Sequence, residues 1–294
     1  MPLRETLCVA ALALAACCAT IHAAPVPEPT PEQWVDYPTP KGAWTPVKRV
    51  QEKLPLSDQG NLGKWRRYAP LWDEFDGSRL DARKWWDHNP TWTGREPAFF
   101  APGNASVGQG ELRLTARLQE PPESLRGKGY HTFSTAAVQS RGRVLYGYFE
   151  VRAKAMKSHA SSAFWFYAQT KPRWTEIDVF EISGGAPTFQ RKVFQTVHVF
   201  KTPEEERHWQ RGSAWEAPWP LADDFHVYGL EWNPREIRYY VDGRLTRKGA
   251  NTHWHQPLTL NFDSETMPDW FGLPAAADLP SVFRVDYVRA WKQE

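Results

Sequence analysis

Three carboxylates stand inside one apolar, β-branched run: Glu176, Asp178 and Glu181 of WTEIDVFEISGG, Trp174 to Gly185. Buried charge is costly unless it is paired or used. Two carboxyl groups separated by about 5 to 5.5 Å can cleave a glycosidic bond with retention, one as nucleophile and one as acid/base. The spacing is awkward for that chemistry. In a regular strand, residues two apart share a face and residues five apart do not. Glu176 and Asp178 therefore share a face, and Glu181 joins them only if a β-bulge accommodates one extra residue between Asp178 and Glu181. With the bulge absorbed, Glu176 and Glu181 are about four strand positions apart, roughly 13 Å between backbones. Side chains leaning together then bring the carboxyls to about 5 to 6 Å, the retaining range. Asp178 lies between them and can hydrogen-bond the nucleophile. One carboxyl must be ionised and the other protonated, and like-charge repulsion raises one of them. The opposing reading is a surface strand with ordinary acids. Against it stand Ile177, Val179, Phe180 and Ile182, which imply a buried opposite face.

The elements that must position these groups read as strands. Glu111 to Leu118 alternates polar and apolar residues, and so does Val144 to Ala155. Ser162 to Tyr167 and Val193 to Phe200 read as buried strands. His226 to Trp232 and Ile237 to Val241 flank a turn at Asn233 to Glu236, and Val241 to Arg244 is a further turn. Leu258 to Phe262 and Arg284 to Trp291 close the chain, and one helical turn is expected around Pro203 to Trp209. Many short strands with Gly and Pro punctuation predict an all-β, two-sheet sandwich.

The chain has 294 residues, a formal net charge of +2 and 24% charged residues, which is no footprint of a nucleic-acid binder. Aromatics make up 14%, with 16 Trp, enough for stacking platforms as well as a core. Residues 1–24 read as a signal peptide, with Arg4 before an apolar stretch from Leu7 to about Ala16, too short to span a bilayer as a mature helix. Leu14-Ala15-Ala16-Cys17 matches a lipobox, which would make 1–16 a lipoprotein signal and Cys17 the anchor; an ordinary cut near Ala23 or Ala24 is the alternative. The product is thus expected outside the cell or as an outer-membrane lipoprotein. All three cysteines, Cys8, Cys17 and Cys18, lie in this leader, so the mature domain has no disulfide and no thiolate chemistry. Residues 25–64 read as a Pro-rich linker and N-terminal arm, and 65–294 as the catalytic domain. The protein reads as a monomer.

EIDVFE at Glu176 to Glu181 resembles the bulged E-x-D-x-x-E motif of glycoside hydrolase family 16, and the likeness runs over about residues 65–294. YGYFEVRAK, SSAFWF, FHVYGLEWNPREIRYYVDG and VDYVRAW are similar to that family's strands. The resemblance implies a β-jelly-roll sandwich with a concave substrate cleft, no cofactor for catalysis, and a β-linked polysaccharide as partner. It implies Glu176 as nucleophile, Asp178 as its assistant and Glu181 as acid/base. It also suggests a structural calcium, for which Asp286 is the matching side chain.

WTGREPAFF at Trp92 to Phe100 and DSETMPDWFGLP at Asp263 to Pro274 resemble the agarase and porphyranase branch, which cuts β-1,4 links in red-algal galactans. Pro172-Arg173-Trp174-Thr175 departs from the Trp-Pro pair and Gly that precede the first Glu in glucan-cleaving members. The reading leans to porphyranase through Arg95, because a guanidinium forks onto two sulfate oxygens; the alternative pairs Arg95 with Glu96 or another nearby acid. Trp92, Trp165 and Trp174 are the expected stacking platforms, His198 a sugar contact or core histidine, and Glu265 and Trp270 parts of the cleft wall. The competing functions are a β-1,3-glucanase or transglycosylase of the same fold, and a non-catalytic carbohydrate-binding sandwich.

Overall fold

Burial with a period of two governs the strand that carries the acids. Thr175, Ile177 and Ile182 are buried, while Trp174, Glu176 and Glu181 keep partial exposure. A computed structural model describes residues 34–39 and 44–294. The leader and the Cys17 lipidation site lie outside those residues. Seven strands form the sheet beneath the acids: β1 (Trp85–Trp86), β2 (Ala137–Val144), β3 (Ser162–Gln169), β4 (Trp174–Ile182), β5 (Lys192–Lys201), β6 (Trp209–Glu216) and β7 (Leu258–Asp263). They lie in the order β6-β5-β4-β3-β7-β2-β1, all antiparallel. A second, 11-stranded sheet is built around Gly147–Lys154, His226–Trp232 and Ser281–Gln293. The architecture is the all-β, two-sheet jelly-roll sandwich expected from the sequence. Among the described residues, helix is limited to short 3-10 turns and none is long and apolar enough to cross a membrane.

Aromatic rings join the sheets. Phe166 of β3 meets Phe149 of the opposite sheet with ring centres 4.7 Å apart, and Phe180 of β4 meets Tyr228 at 4.5 Å. Each such contact fixes the height and tilt of a strand whose other face lines the cleft.

One region differs from the sequence reading. Residues 203–208 contain no helix, and a strand begins at Trp209. In β6 only Trp209 and Trp215 are buried apolar anchors; Arg211 and Ser213 stand between them on the same parity, so the binary pattern is blank in the middle. The N-terminal arm lies on the domain. Trp34–Asp36 pairs with Arg244–Ala250, and the Trp34 ring lies so close to Gly249 that a Cβ there would sit 2.2 Å from it. Arg49 and the Leu56 N–H both engage Glu150, a fully buried carboxylate of the 11-stranded sheet that also accepts a 2.9 Å hydrogen bond from Tyr287 Oη. Asp286, the candidate calcium ligand, pairs through Oδ2 with Arg152 at 2.7 Å.

Removing one partner of a buried ion pair strands the other charge. Arg49→Ala is therefore expected to cost about 3 kcal/mol in denaturant unfolding, whereas the paired replacement Arg49→Met with Glu150→Leu costs much less. Equal losses in the two variants would mean that Arg49 contributes packing alone.

Candidate active site

Strand register assembles the site. On one side Glu176 faces Tyr167 and Glu181 faces Ala163; on the other, Glu176 faces His198 and Glu181 faces Phe194. The glutamates are five apart in sequence, yet their partners are four apart on both neighbours. Pairing with β3 and with β5 slips between Asp178 and Glu181, so the extra residue of β4 is absorbed there. Val179 and Phe180 both enter the core, and Glu181 returns to the face of Glu176 and Asp178. This is the bulge that the spacing required.

The three acids lie together, Asp178 buried and Glu176 and Glu181 partly exposed. Glu176, Asp178 and Glu181 line one small pocket of about 80 Å³ with Trp92, Arg95 and Trp165. His198 Nε2 sits 3.2 Å from Asp178 Oδ2 and 3.8 Å from Glu176 Oε1. Burial, then repulsion from Asp178, pushes Glu176 well above the usual carboxylate range, against the pull of His198. Asp178 is likewise held high by burial and by Glu265. Glu181 is pushed up to about 8 by burial and by Asp178 and Glu265, with His198 and Arg95 acting in the opposite sense. A cluster of this kind cannot ionise fully, and it holds protons at neutral pH.

Comparison with known proteins decides what this arrangement belongs to. Residues 65–293 match the sequence profile described as Beta-porphyranase A-D, GH16 domain. The chain belongs to glycoside hydrolase family 16. It is 29% identical over 293 residues to a β-porphyranase B of Phocaeicola plebeius, covering 82% of this chain and 88% of that one. It is also 31% identical over 259 residues to a β-glucanase of Rhodothermus marinus, covering 76% and 86%. The crystal structure of porphyranase B from Zobellia galactanivorans superposes with a TM-score of 0.69 at 26% identity, covering 78% of this chain and 92% of that one.

In this family-16 chain most of the expected contacts do reach the cleft. Trp165 donates from Nε1 to Asp263 Oδ2 at 2.8 Å, which fixes its ring in the small pocket. Trp92 packs edge-on against Phe100 at 5.1 Å in the opposite wall. Arg95 pairs through Nε with Glu265 at 2.5 Å, and not with Glu96. His198 and Trp270 line a larger cavity of about 840 Å³ on the β5 and β6 side, and Trp270 is 38% exposed there. Trp174 departs from expectation: it borders neither cavity, and Phe200 stacks on one of its faces at 4.6 Å. Phe194, Phe200, His208 and Gln210 were missed as cleft residues. Their signal is register with the acids, which needs the pairing of β4, β5 and β6 and not the sequence of any one strand.

Protonation links the site to stability. The folded chain keeps a proton on Glu181 that the unfolded chain releases near 4.5, so this group costs stability progressively as pH rises from about 4.5 to about 8. Glu181→Gln removes that cost. In calorimetry its Tm should match the parent near pH 4 and exceed it at pH 8, by roughly 1–3 kcal/mol of stability. A gap that does not change with pH would mean that Glu181 titrates as an ordinary carboxylate.

Proposed function

We propose that this protein is a retaining endo-β-galactanase that cleaves β-1,4 linkages in a red-algal galactan of the porphyran or agarose type. The observation that carries the chemistry is the bulge, which returns Glu181 to the face of Glu176. In the first step a Glu176 oxygen bonds to the anomeric carbon as the glycosidic C–O bond breaks, and Glu181 gives its proton to the departing oxygen. In the second step Glu181 takes a proton from water, and the water oxygen displaces Glu176 from the same carbon. Two inversions leave the configuration unchanged. Protons held on Asp178 and Glu181 remove the repulsion that adds to burial in raising Glu176, and His198 beside it favours its ionised form. The single negative charge of the cluster is then assigned to the nucleophile, with a protonated Asp178 as its donor. No step draws on a metal or cofactor.

The substrate class is supported by the β-porphyranase profile and relative. The β-glucanase relative of similar identity supports a second reading, a glucanase on the same catalytic strands. Arg95 supports galactan recognition mainly by placement, since Glu265 already neutralises much of its charge. The leader over residues 1–24 supports export, with Cys17 as the lipid anchor if the lipobox is used.

Reducing-end release from porphyran, agarose, laminarin and lichenan tests the reading. Cleavage of either galactan is expected, with the β-anomer appearing first by NMR; cleavage of the two glucans alone would replace the substrate. Glu176→Gln should lower kcat at least about 10³-fold with the fold intact. Because Glu181 must be protonated and is held near 8, kcat/KM should fall as pH rises above about 8. A normal rate in Glu176→Gln would remove the mechanism.

A further inference from the structure

The cleft face of the seven-stranded sheet continues past the acids to its β1 edge. Register carries two rows outward from β4. One runs Glu176, Tyr167, Thr259, Arg143, and the other runs Asp178, Trp165, Asn261, Gln139, Trp86. Residues opposite one another in adjacent strands share a face. The inward set of the same strands is accounted for separately: Trp85, Val138, Val144 and Leu258 lie in the core. In the middle of the second row Gln139 donates to Asn261 at 2.8 Å, and both are buried, giving a sunken polar floor.

At the end of the rows the surface changes character. Gln139 to Arg143 of β2 faces only Thr259 to Asn261 of β7, so the register slips and two residues are in excess. The slip leaves Arg141 and Arg143 exposed, and it lays the Arg141 guanidinium 3.4 Å above the centre of the Trp86 ring. Neither arginine forms an ion pair among the described residues. The contrast with the opposite sheet is clear, where Arg152, Arg238, Arg284 and Arg289 each sit on a carboxylate. Near the cut itself, Arg95 is paired with Glu265. The cations of this cleft that lack a carboxylate partner thus include Arg141, seated on Trp86, and Arg143, both three strands from the acids, with Trp86 on the fourth. At about 4.8 Å per strand that is roughly 14 to 19 Å, several sugar units along a polysaccharide chain.

We propose that Trp86, Arg141 and Arg143 form a distal subsite that binds a sulfate ester of the substrate chain, several units from the bond that is cut. The proposal rests on the reading of the cleft as a glycan cleft and assigns the recognition of charge to its far end. Trp86 holds Arg141 in place by a cation–π contact, so little side-chain freedom is lost when an anion binds. Arg143 supplies a second fork for the sulfate oxygens.

Affinity electrophoresis in gels cast with porphyran or with desulfated porphyran reads binding whether or not the chain is cut. The parent should be retarded more by porphyran, and less so as NaCl rises. Replacing both residues, Arg141→Ala with Arg143→Ala, should weaken retardation by porphyran about tenfold and by the desulfated polymer less than twofold. The single exposed replacement Arg143→Gln, which leaves the Trp86 contact in place, should give a smaller loss with the same selectivity and covers a folding defect in the double variant. Undiminished retardation by porphyran, or equal loss on both polymers, would overturn the subsite. Failure of the parent to cut any galactan would instead overturn the proposed activity, while the two gels still decide the subsite.

Discussion

One extra residue in β4 is the constraint on which the site depends. Without it Glu181 would point into the core. The bulge is not held by local sequence preference alone. It places Val179 and Phe180 together on the inner face, and the Phe180 ring is gripped by Tyr228 at 4.5 Å and Phe283 at 6.0 Å, both from the opposite sheet. Sliding the bulge by one residue would turn Val179 or Phe180 out of the core and toward the cleft. The hydrophobic contact between the sheets therefore fixes the position of the acid/base candidate. Catalytic geometry and core packing are two consequences of the same register.

The molecule also has to tolerate several carboxyls out of water. In the cleft it does so by leaving protons on them and by placing Arg95 and His198 nearby, an arrangement that stores repulsion where chemistry can use it. On the other sheet the solution is different: Glu150 is neutralised by Arg49 from the arm and filled with hydrogen bonds. The first arrangement is poised to change its charge, whereas the second is built to stay fixed. The difference lies in which partners are supplied and not in the acids themselves.

What could be read in the sequence was whatever a single strand contains. Alternation, the acid triad and the need for a bulge are properties of one segment, and the structure returns them at Glu176, Asp178 and Glu181. The partner of Arg95 is 170 residues away in Glu265, and no local pattern points to it. Trp174 shares the acids' parity, but parity does not say what meets a ring, and Phe200 of β5 stacks on one of its faces. The β6 strand was invisible because Arg211 and Ser213 interrupt its apolar anchors. The sequence marks an N-terminal arm but not where it docks, because its anchors, Trp34, Arg49 and Leu56, are spaced by no period. Each miss is a matter of pairing between segments.

Pairing between segments also explains why two separate motifs carry the resemblance to one branch of the family. WTGREPAFF and DSETMPDWFGLP are far apart in the chain but form one unit. Arg95 Nε meets Glu265, Thr266 Oγ1 donates to the Arg95 carbonyl at 3.1 Å, and the Ala98 N–H donates to Thr266 Oγ1 at 3.2 Å. Ser161, at the edge of β3, then holds Glu265 by two backbone-linked hydrogen bonds of 2.8 and 2.9 Å. A change in either motif leaves buried polar groups of the other unpaired, which is costly. The two loops are therefore coupled through their hydrogen bonds, above the catalytic strands. A β-porphyranase and a β-glucanase stand at nearly equal identity to this chain, as one sandwich fold can host different glycan sites.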